Sequence, residues 1–542
     1  MAGSLLRRLQ TSYCTHIKKG LTRTFTRSSC IGEKKEDNAV TVSEKETIPD
    51  ESGKKLVLDE DKKDEVFYGG EFSGISSWDP KDIFEEKPMD RIARVHNYDM
   101  VRVKEKVMTR LGFEFEPQLH KYYNGPTWAD VVIIGGGAIG SACAYWIKKK
   151  ASEGVRVVVL DRDMSYKSAA INLSVDGLRQ QYSLPEHVEM SLYGYEFIRQ
   201  AEEVLSVENL PAPEVCYEPC GYLRLATDEG AESLMQSSEM QNALGCTNVL
   251  LNRKRLRQRF PWLNADNFTL GCLGTEKEGW FNPWALLLGF KTKAQSLGVE
   301  YFNSEVVGFQ FGTPHLTVFD HNFRFVKALI MRHPSGMCTK MTFNTMVVAA
   351  GADSRIIGKL LGLGFGSGIL SVSLPITRRR RYMFYFHSPQ NPGLNSPLTM
   401  GPDFHFRRDG VLGNYITAVS LSPEEASAIN DKKDAEKYFY ENIRPNLAKR
   451  VPCFEKATLK NVWAGYHEHN TFDSAGILGR HPLLENVILA CGFNSTGIQH
   501  APVIGRAVSE LFLSDRFLTM DLNRFTFLRI PKEKLLVEES LV

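Results

Sequence analysis

From Thr127 onward the apolar runs are short, and the most regular of them end on glycine. Asp130-Val131-Val132-Ile133-Ile134 shows no polar alternation, the pattern of a strand buried on both faces. It runs straight into Gly135-Gly136-Gly137-Ala138-Ile139-Gly140. A helix containing Ala142 and Ala144 is predicted next, closing on Lys148-Lys149-Lys150, where cations suit the negative end of the helix dipole. After Gly154 a second apolar strand, Val155 to Leu160, ends at Asp161. Two further strand-then-glycine segments lie far downstream. One is Met346-Val347-Val348-Ala349-Ala350-Gly351-Ala352; the other runs from Asn486 to Phe493 through Gly492, with a helix predicted from Ala501 to Leu513. Between them Gly279-Trp280-Phe281-Asn282-Pro283 opens a helix over Trp284 to Leu297, with Asn282 as N-cap and Pro283 in its first turn. Gly298 closes that helix and Val299 to Phe302 opens the next strand.

The unit over 130–161 carries chemistry. Gly135 makes the tight turn, Gly137 lets backbone approach a pyrophosphate, and Gly140 lets helix and strand pack closely. The anion sits on the free N–H groups at the helix start, around Ala138 and Ile139. Asp161, 21 residues after Gly140, stands where an acid hydrogen-bonds a ribose diol. NAD and FAD both offer a pyrophosphate and a ribose, so the fingerprint alone does not separate them.

The N-terminus reads differently. Leu5, Leu6, Leu9, Tyr13, Ile17 and Leu21 share one helical face, with Arg7, Arg8, Lys18 and Lys19 largely on the other. The first acid is Glu33, and Ser and Thr are frequent. This is the pattern of a mitochondrial transit peptide over residues 1–30, hence a matrix location; a disordered basic tail or a membrane-surface helix is the other reading. Residues 31–126 are expected to be a charged linker (31–65) and an extension with scattered aromatics, 127–515 the main α/β module, and 516–542 a C-terminal tail. The whole chain has 542 residues with 66 basic and 64 acidic side chains, a formal +2. Without residues 1–30 the balance is 60 to 64, so the slight basicity belongs to the leader. Such a balance argues against nucleic-acid binding. No stretch is long and apolar enough for a transmembrane helix; Val131 to Ile147 is broken by four glycines. Ten cysteines are too sparse for a disulfide scaffold, and Cys216 and Cys220 have no companion ligands, so no zinc site is read.

The fingerprint, the Gly279–Pro283 helix start, Ala349-Ala350-Gly351-Ala352 and the Gly492 segment together resemble FAD-dependent oxidoreductases of the D-amino-acid oxidase type, over roughly residues 128–515. Within that family the resemblance is strongest to a mitochondrial member that serves complex I assembly. It is carried by Gln180 to Glu186, Phe260-Pro261-Trp262, Glu278 to Trp284, Trp463 to Tyr466, Asn470 to Asp473 and the Ala501-to-Ala507 stretch. The resemblance implies an α/β (α+β) protein: a discontinuous Rossmann-like FAD-binding domain with an interleaved antiparallel β-sheet substrate domain. It implies FAD held by Gly135, Gly137, Ala138, Ile139, Gly140 and Asp161. The backbone at Val306 would lie near the adenine and Gly351 near the pyrophosphate; Asp473, Gly492, Gly497 and Ile498 would lie toward the isoalloxazine. The 168–177 loop has no His, the attachment residue of covalently flavinylated relatives, so noncovalent FAD is implied.

Some positions depart from the family pattern. Ala169 and Ala170 replace an Ala-Ser pair. Asp176-Gly177 replaces Gly-Gly, putting a carboxylate near a pyrophosphate unless a cation such as Arg179 meets it. Gly492-Phe493-Asn494-Ser495-Thr496-Gly497 replaces Gly-Phe-Ser-Gly-His-Gly, losing an inner glycine. Arg378 to Arg381 reads as a solvated charged strand edge. His405, Arg407, Tyr466, His467 and His469 are candidates for the substrate pocket, with no catalytic residue assigned. Three functions follow: a factor for complex I assembly whose partners are complex I subunits or assembly intermediates, expected in the matrix or peripherally at the matrix face of the inner membrane; a working oxidase or dehydrogenase of sarcosine, dimethylglycine or a small amino acid; or a paralogue that keeps the fold without redox activity.

Overall fold

The computed structural model describes residues 125–539 except 168, 313–316, 319–320, 323, 403, 423–424 and 426–428. It also describes an antiparallel ladder between Ile48–Pro49 and Lys55–Leu56. The expected leader over 1–30 and, that ladder aside, the linker and extension up to residue 124 lie outside the described residues.

The chain begins with β1 (Trp128–Ile134), α1 (Ala138–Ala151) and β2 (Val157–Asp161). α2 (Pro185–Arg199) follows, then β3 (Tyr222–Ala226), β4 (Asn248–Asn252) and β5 (Leu270–Gly274). α3 (Pro283–Ser296) starts as its sequence predicts: Asn282 Oδ1 accepts from Ala285 N at 3.1 Å, relieving one orphan donor of the first turn. Next come β6 (Glu300–Asn303), β7 (Glu305–Phe311), β8 (Val326–Arg332) and β9 (Cys338–Val348). β10 (Ile376–His387), β11 (Leu398–Met400), β12 (His405–Asp409), β13 (Asn414–Ser420) and β14 (Thr458–Asn470) precede β15 (Ile477–His481), β16 (Leu484–Cys491) and α4 (Gly497–Ser514).

β6, β2, β1, β9 and β16 lie side by side and parallel. The far half of β9 instead pairs antiparallel with β8, and β8 with β7. Val131, Val132, Val157, Val158, Val347, Ile488 and Leu489 are fully buried, because long helices cover one face of this sheet and β7, β8, the short helix Ser354–Leu360 and loops cover the other. That is why these strands are uniformly apolar. The second sheet runs β14-β10-β13-β12-β11-β3-β5-β4, antiparallel except for β11 beside β3. Its outer face packs an aromatic core including Phe384, Phe386, Phe406, Phe439 and Phe454. Its strands come from both sides of β6–β9 in sequence, which makes the two sheets interleaved.

Two boundaries differ from the sequence reading. α4 begins at Gly497 rather than Ala501, and Pro502 lies inside it. The proline forfeits one backbone bond, while burial of Val503, Ile504, Val508 and Leu511 holds the helix. The C-terminal segment is more than a tail. Phe525 and Leu536 join the core on one face of the parallel sheet, and Phe527 and Ile530 join the core on the other.

Candidate functional site

The chain steps to one side of β1 to form β2 and to the other to form β9. The carboxyl ends of β1 and β9 therefore flank a topological switch point, the place where open α/β sheets bind ligands. Gly135 makes the turn there with φ +101°, and a Cβ on it would lie 2.3 Å from Ala349 O. A Cβ on Gly140 would lie 1.8 Å from Gly135 O, so the helix can leave the turn only from a bare Cα. Gly137 is different: the volume where its Cβ would stand has no heavy atom within 4 Å, and the same holds at Gly351. The first turn of α1, with Ala138 and Ile139, carries no acidic side chain. Space, free backbone and helix polarity all suit a diphosphate, so these residues fit a dinucleotide.

Asp161 ends β2. Its Oδ2 accepts from Gly136 N at 2.7 Å and its Oδ1 from Asp163 N at 2.9 Å, so it ties the glycine turn to the second strand. Burial pushes its pKa upward against these two donors. Val306, expected near the adenine, lies at the start of β7, where a bulge follows it in the pairing with β8. Bulges leave backbone groups unpaired. Across the mouth of the crevice Arg162 pairs with Asp353 at 2.7 Å, and Asp353 also meets Arg378.

The C-terminal glycine segment reaches the same place. Gly497 opens α4 with its Cβ position 3.2 Å from Ile139 Cδ1, so the first turns of α1 and α4 meet. Ile498 packs there with Tyr166, Ile171 and Leu287. Gly492, at φ +77°, donates its N–H to Glu468 Oε2 at 2.7 Å, and Phe493 donates to Oε1 at 3.0 Å. Burial raises Glu468 to about 7. Nothing in the sequence pattern marks Glu468, although it stands between His467 and His469.

Asp473 does not face the site as expected. Its oxygens accept from Arg529 Nε at 2.7 Å, Arg529 Nη2 at 3.0 Å, Asn470 Nδ2 at 3.0 Å, Ala475 N at 3.1 Å and Leu536 N at 3.2 Å. A carboxylate with that many donors is saturated. Asp473 clasps the C-terminal segment instead.

The departures from the family pattern find local solutions. Asp176 adopts φ +64°, a conformation natural to glycine, and Ser174 Oγ accepts its N–H at 2.8 Å. Its cation is Arg407, at 2.5 Å, rather than Arg179; Arg407 also holds Asp409 at 2.7 Å and lies 4.4 Å from the Trp280 ring centroid. Burial still raises Asp176 to about 6. In the C-terminal loop the left-handed residue is Asn494, φ +51°, a type that tolerates this region; its side chain bonds Asn470 N and Ser474 O. Thr496 returns its hydroxyl to Phe493 O at 2.7 Å. Ala169 and Ala170 bring no hydroxyl to the site.

Arg378 to Arg381 divides between edge and interior. β10 pairs with β14 along its whole length, but β13 joins its other side only from Arg381 onward, so Arg378 and Arg379 stay exposed at an edge as expected and Arg381 is interior. Arg380 faces the outer side over Tyr382, opposite Tyr466, which removes Tyr466 from the pocket face. Arg379 and Arg381 face inward with His467. Arg381 donates to Ser420 Oγ at 3.0 Å and Leu173 O at 3.3 Å, and Ser420 Oγ lies 3.3 Å from His467 Nε2. Burial first, then Arg381, pushes both His405 and His467 down to about 3, so both are neutral at neutral pH. Burial and Arg379 push His469 in the same direction.

A dinucleotide cradle at the switch point of a parallel sheet, beside a cationic inner face on an interleaved antiparallel sheet, defines the class of flavin-dependent oxidoreductases. The profile of the DAO family, described as FAD dependent oxidoreductase, matches residues 130–511, and the chain belongs to that family, whose cofactor is FAD. It is similar to the FAD-dependent oxidoreductase domain-containing protein 1 homolog of Drosophila melanogaster, 40% identical over 471 residues covering 82% of this chain and 90% of that protein. FAD-dependent oxidoreductase domain-containing protein 1 of Xenopus laevis is 35% identical, covering 87% of this chain and 98% of that one. Among solved structures, L-proline dehydrogenase from P. horikoshii shares the fold with a TM-score of 0.60 at 19% identity, over 76% of this chain and 100% of that one.

Proposed function

We propose that this protein binds FAD noncovalently and oxidises a small carboxylate-bearing amine. The observation that carries this reading is the placement of Arg381 and the neutral His405 and His467 on the sheet face turned toward the glycine cradle. When bound, the flavin supplies the two-electron chemistry. Arg381 supplies the fixed cation a carboxylate needs, and the neutral imidazoles leave an incoming amine unopposed by further charge. Glu468 holds the Gly492–Phe493 backbone in the shape the site requires. The purified protein should be yellow, release flavin on denaturation, and bleach anaerobically with one of sarcosine, glycine, dimethylglycine or proline. A colourless protein that takes up no added FAD would sink this reading and leave a fold without redox activity.

The finer cellular role follows from the sequence resemblance: the protein resides in the mitochondrial matrix or on the matrix face of the inner membrane and supports complex I assembly through its subunits or intermediates. The acid-free amphipathic leader over 1–30 supports the location. Among the described residues no helix is long and apolar enough to cross a membrane. Depletion in cells should lower assembled complex I on native gels; unchanged complex I would remove this role.

A further inference from the structure

The inner face of the antiparallel sheet carries more positive charge than one carboxylate requires. Arg224 on β3 is the cross-strand partner of Met400 on β11, and Met400 is the partner of His405 on β12. Arg179, from the loop between the two sheets, donates Nη1 to Met400 Sδ at 3.3 Å and lies 4.5 Å from the Tyr182 ring centroid. Arg381 lies on the other side of His405, bonded to Ser420 Oγ and Leu173 O. Strand order puts Arg381 on one side of His405 and Arg179 with Arg224 on the other; Arg381 and Arg179 act electrostatically on His405, and Arg179 and Glu538 on Arg224.

The surrounding carboxylates accept hydrogen bonds from other groups, while Glu538 acts electrostatically on Arg179 and Arg224, and Arg179 on Glu278. Glu468 holds Gly492 and Phe493 N–H, and Asp176 pairs with Arg407. Glu278 accepts from Gln180 N at 2.5 Å and Gln181 Nε2 at 2.9 Å, and Glu538 accepts from Ser183 and Leu184 N–H and meets His187 at 2.8 Å. The hydrogen bonds of Arg179 and Arg381 go to sulfur, hydroxyl and carbonyl acceptors. Guanidinium groups whose hydrogen bonds go to neutral acceptors keep donors for an anion, and their fork geometry matches carboxylate oxygens.

We infer that the pocket is built for an amine carrying two carboxylates, an amino dicarboxylate or its N-alkyl derivative, with Arg381 taking one acid group and Arg179 with Arg224 the other. This rests on the amine-oxidation reading but is tested apart from it, by binding. Calorimetry on the purified full-length protein would compare malonate and succinate with acetate and propionate, and iminodiacetate with sarcosine. The dicarboxylates should bind at least about tenfold more tightly. That preference should be lost in R381Q and in R224Q and kept in R381K; if R381Q fails to fold, R224Q and R381K still decide. Equal affinity for mono- and dicarboxylates, or a preference untouched by R224Q, would overturn the inference. Binding of iminodiacetate with no amine able to bleach the flavin would sink the oxidase reading and leave this one standing. Bleaching by sarcosine without a dicarboxylate preference would do the reverse.

Discussion

Glu468 grips the backbone of Gly492: its carboxylate receives the Gly492 and Phe493 N–H groups at 2.7 Å and 3.0 Å, fixing the turn that leads into α4. A carboxylate on two backbone donors is a strong bond, yet burial lifts this one to about 7. Its folded pKa thus lies above the usual glutamate value, and between the two the native state binds more protons than the unfolded state. Stability from this group is therefore present at low pH and lost as pH rises through about 7. E468Q, neutral throughout, should differ from wild type in a pH-dependent way. Melting scans should show wild type gaining on E468Q as pH falls from about 8 to about 5. A constant difference would mean that Glu468 is not held near neutral pH.

The glycines divide into those that fold the turn and those that leave room. G135A should fail to fold or melt far lower, since its Cβ meets Ala349 O. G137L should keep the melting temperature of the flavin-free protein while losing retained FAD, because its side chain enters space that holds no protein atom. Flavin content after gel filtration, with circular dichroism, separates the two; a G137L protein that keeps its flavin would remove the cradle from this position.

Arg529 and Asp473 form a buried clasp, with side-chain exposures of 4% and 0%. Removing one partner leaves a buried charge, which typically costs about 3–5 kcal/mol. D473N and R529M should each fall by an amount of this order in urea unfolding, and the double variant by less than their sum. Ending the chain at Asp515 should produce insoluble or largely unfolded protein, since it uncovers the sites of Phe525, Phe527 and Leu536.

Asp176 serves two ends at once, a left-handed backbone and a partner for Arg407. D176G and D176A lose the same carboxylate, but alanine also carries the left-handed penalty. D176G should therefore be more stable than D176A by about 1 kcal/mol in chemical denaturation. Equal stabilities would mean that the backbone relaxes at this position.

The nucleotide half was legible in the sequence because its determinants are local. The unbroken apolar run of β1, the glycine spacing at 135–140, the acid at 161 and the Asn282-Pro283 cap each act within a few residues, and the folded chain places the glycines together. The inner face of the second sheet was not legible, since strand order and facing are set by pairings between distant segments. Arg378 to Arg381 has the composition of a strand edge, and Arg378 and Arg379 do lie at one; only the pairing with β13 from Arg381 onward makes that last arginine interior. Asp473 reads as a site residue until Arg529, far along the chain, fills its lone pairs. Nothing in the sequence marks Glu468 until the fold brings the Gly492 turn against it. The sequence by itself determined the dinucleotide turn, through steric and capping rules that need only near neighbours, and its motifs carried the resemblance to the family. Tertiary structure alone decided which charges are paired and which remain free to receive a substrate, because charge partners are chosen by distance in space.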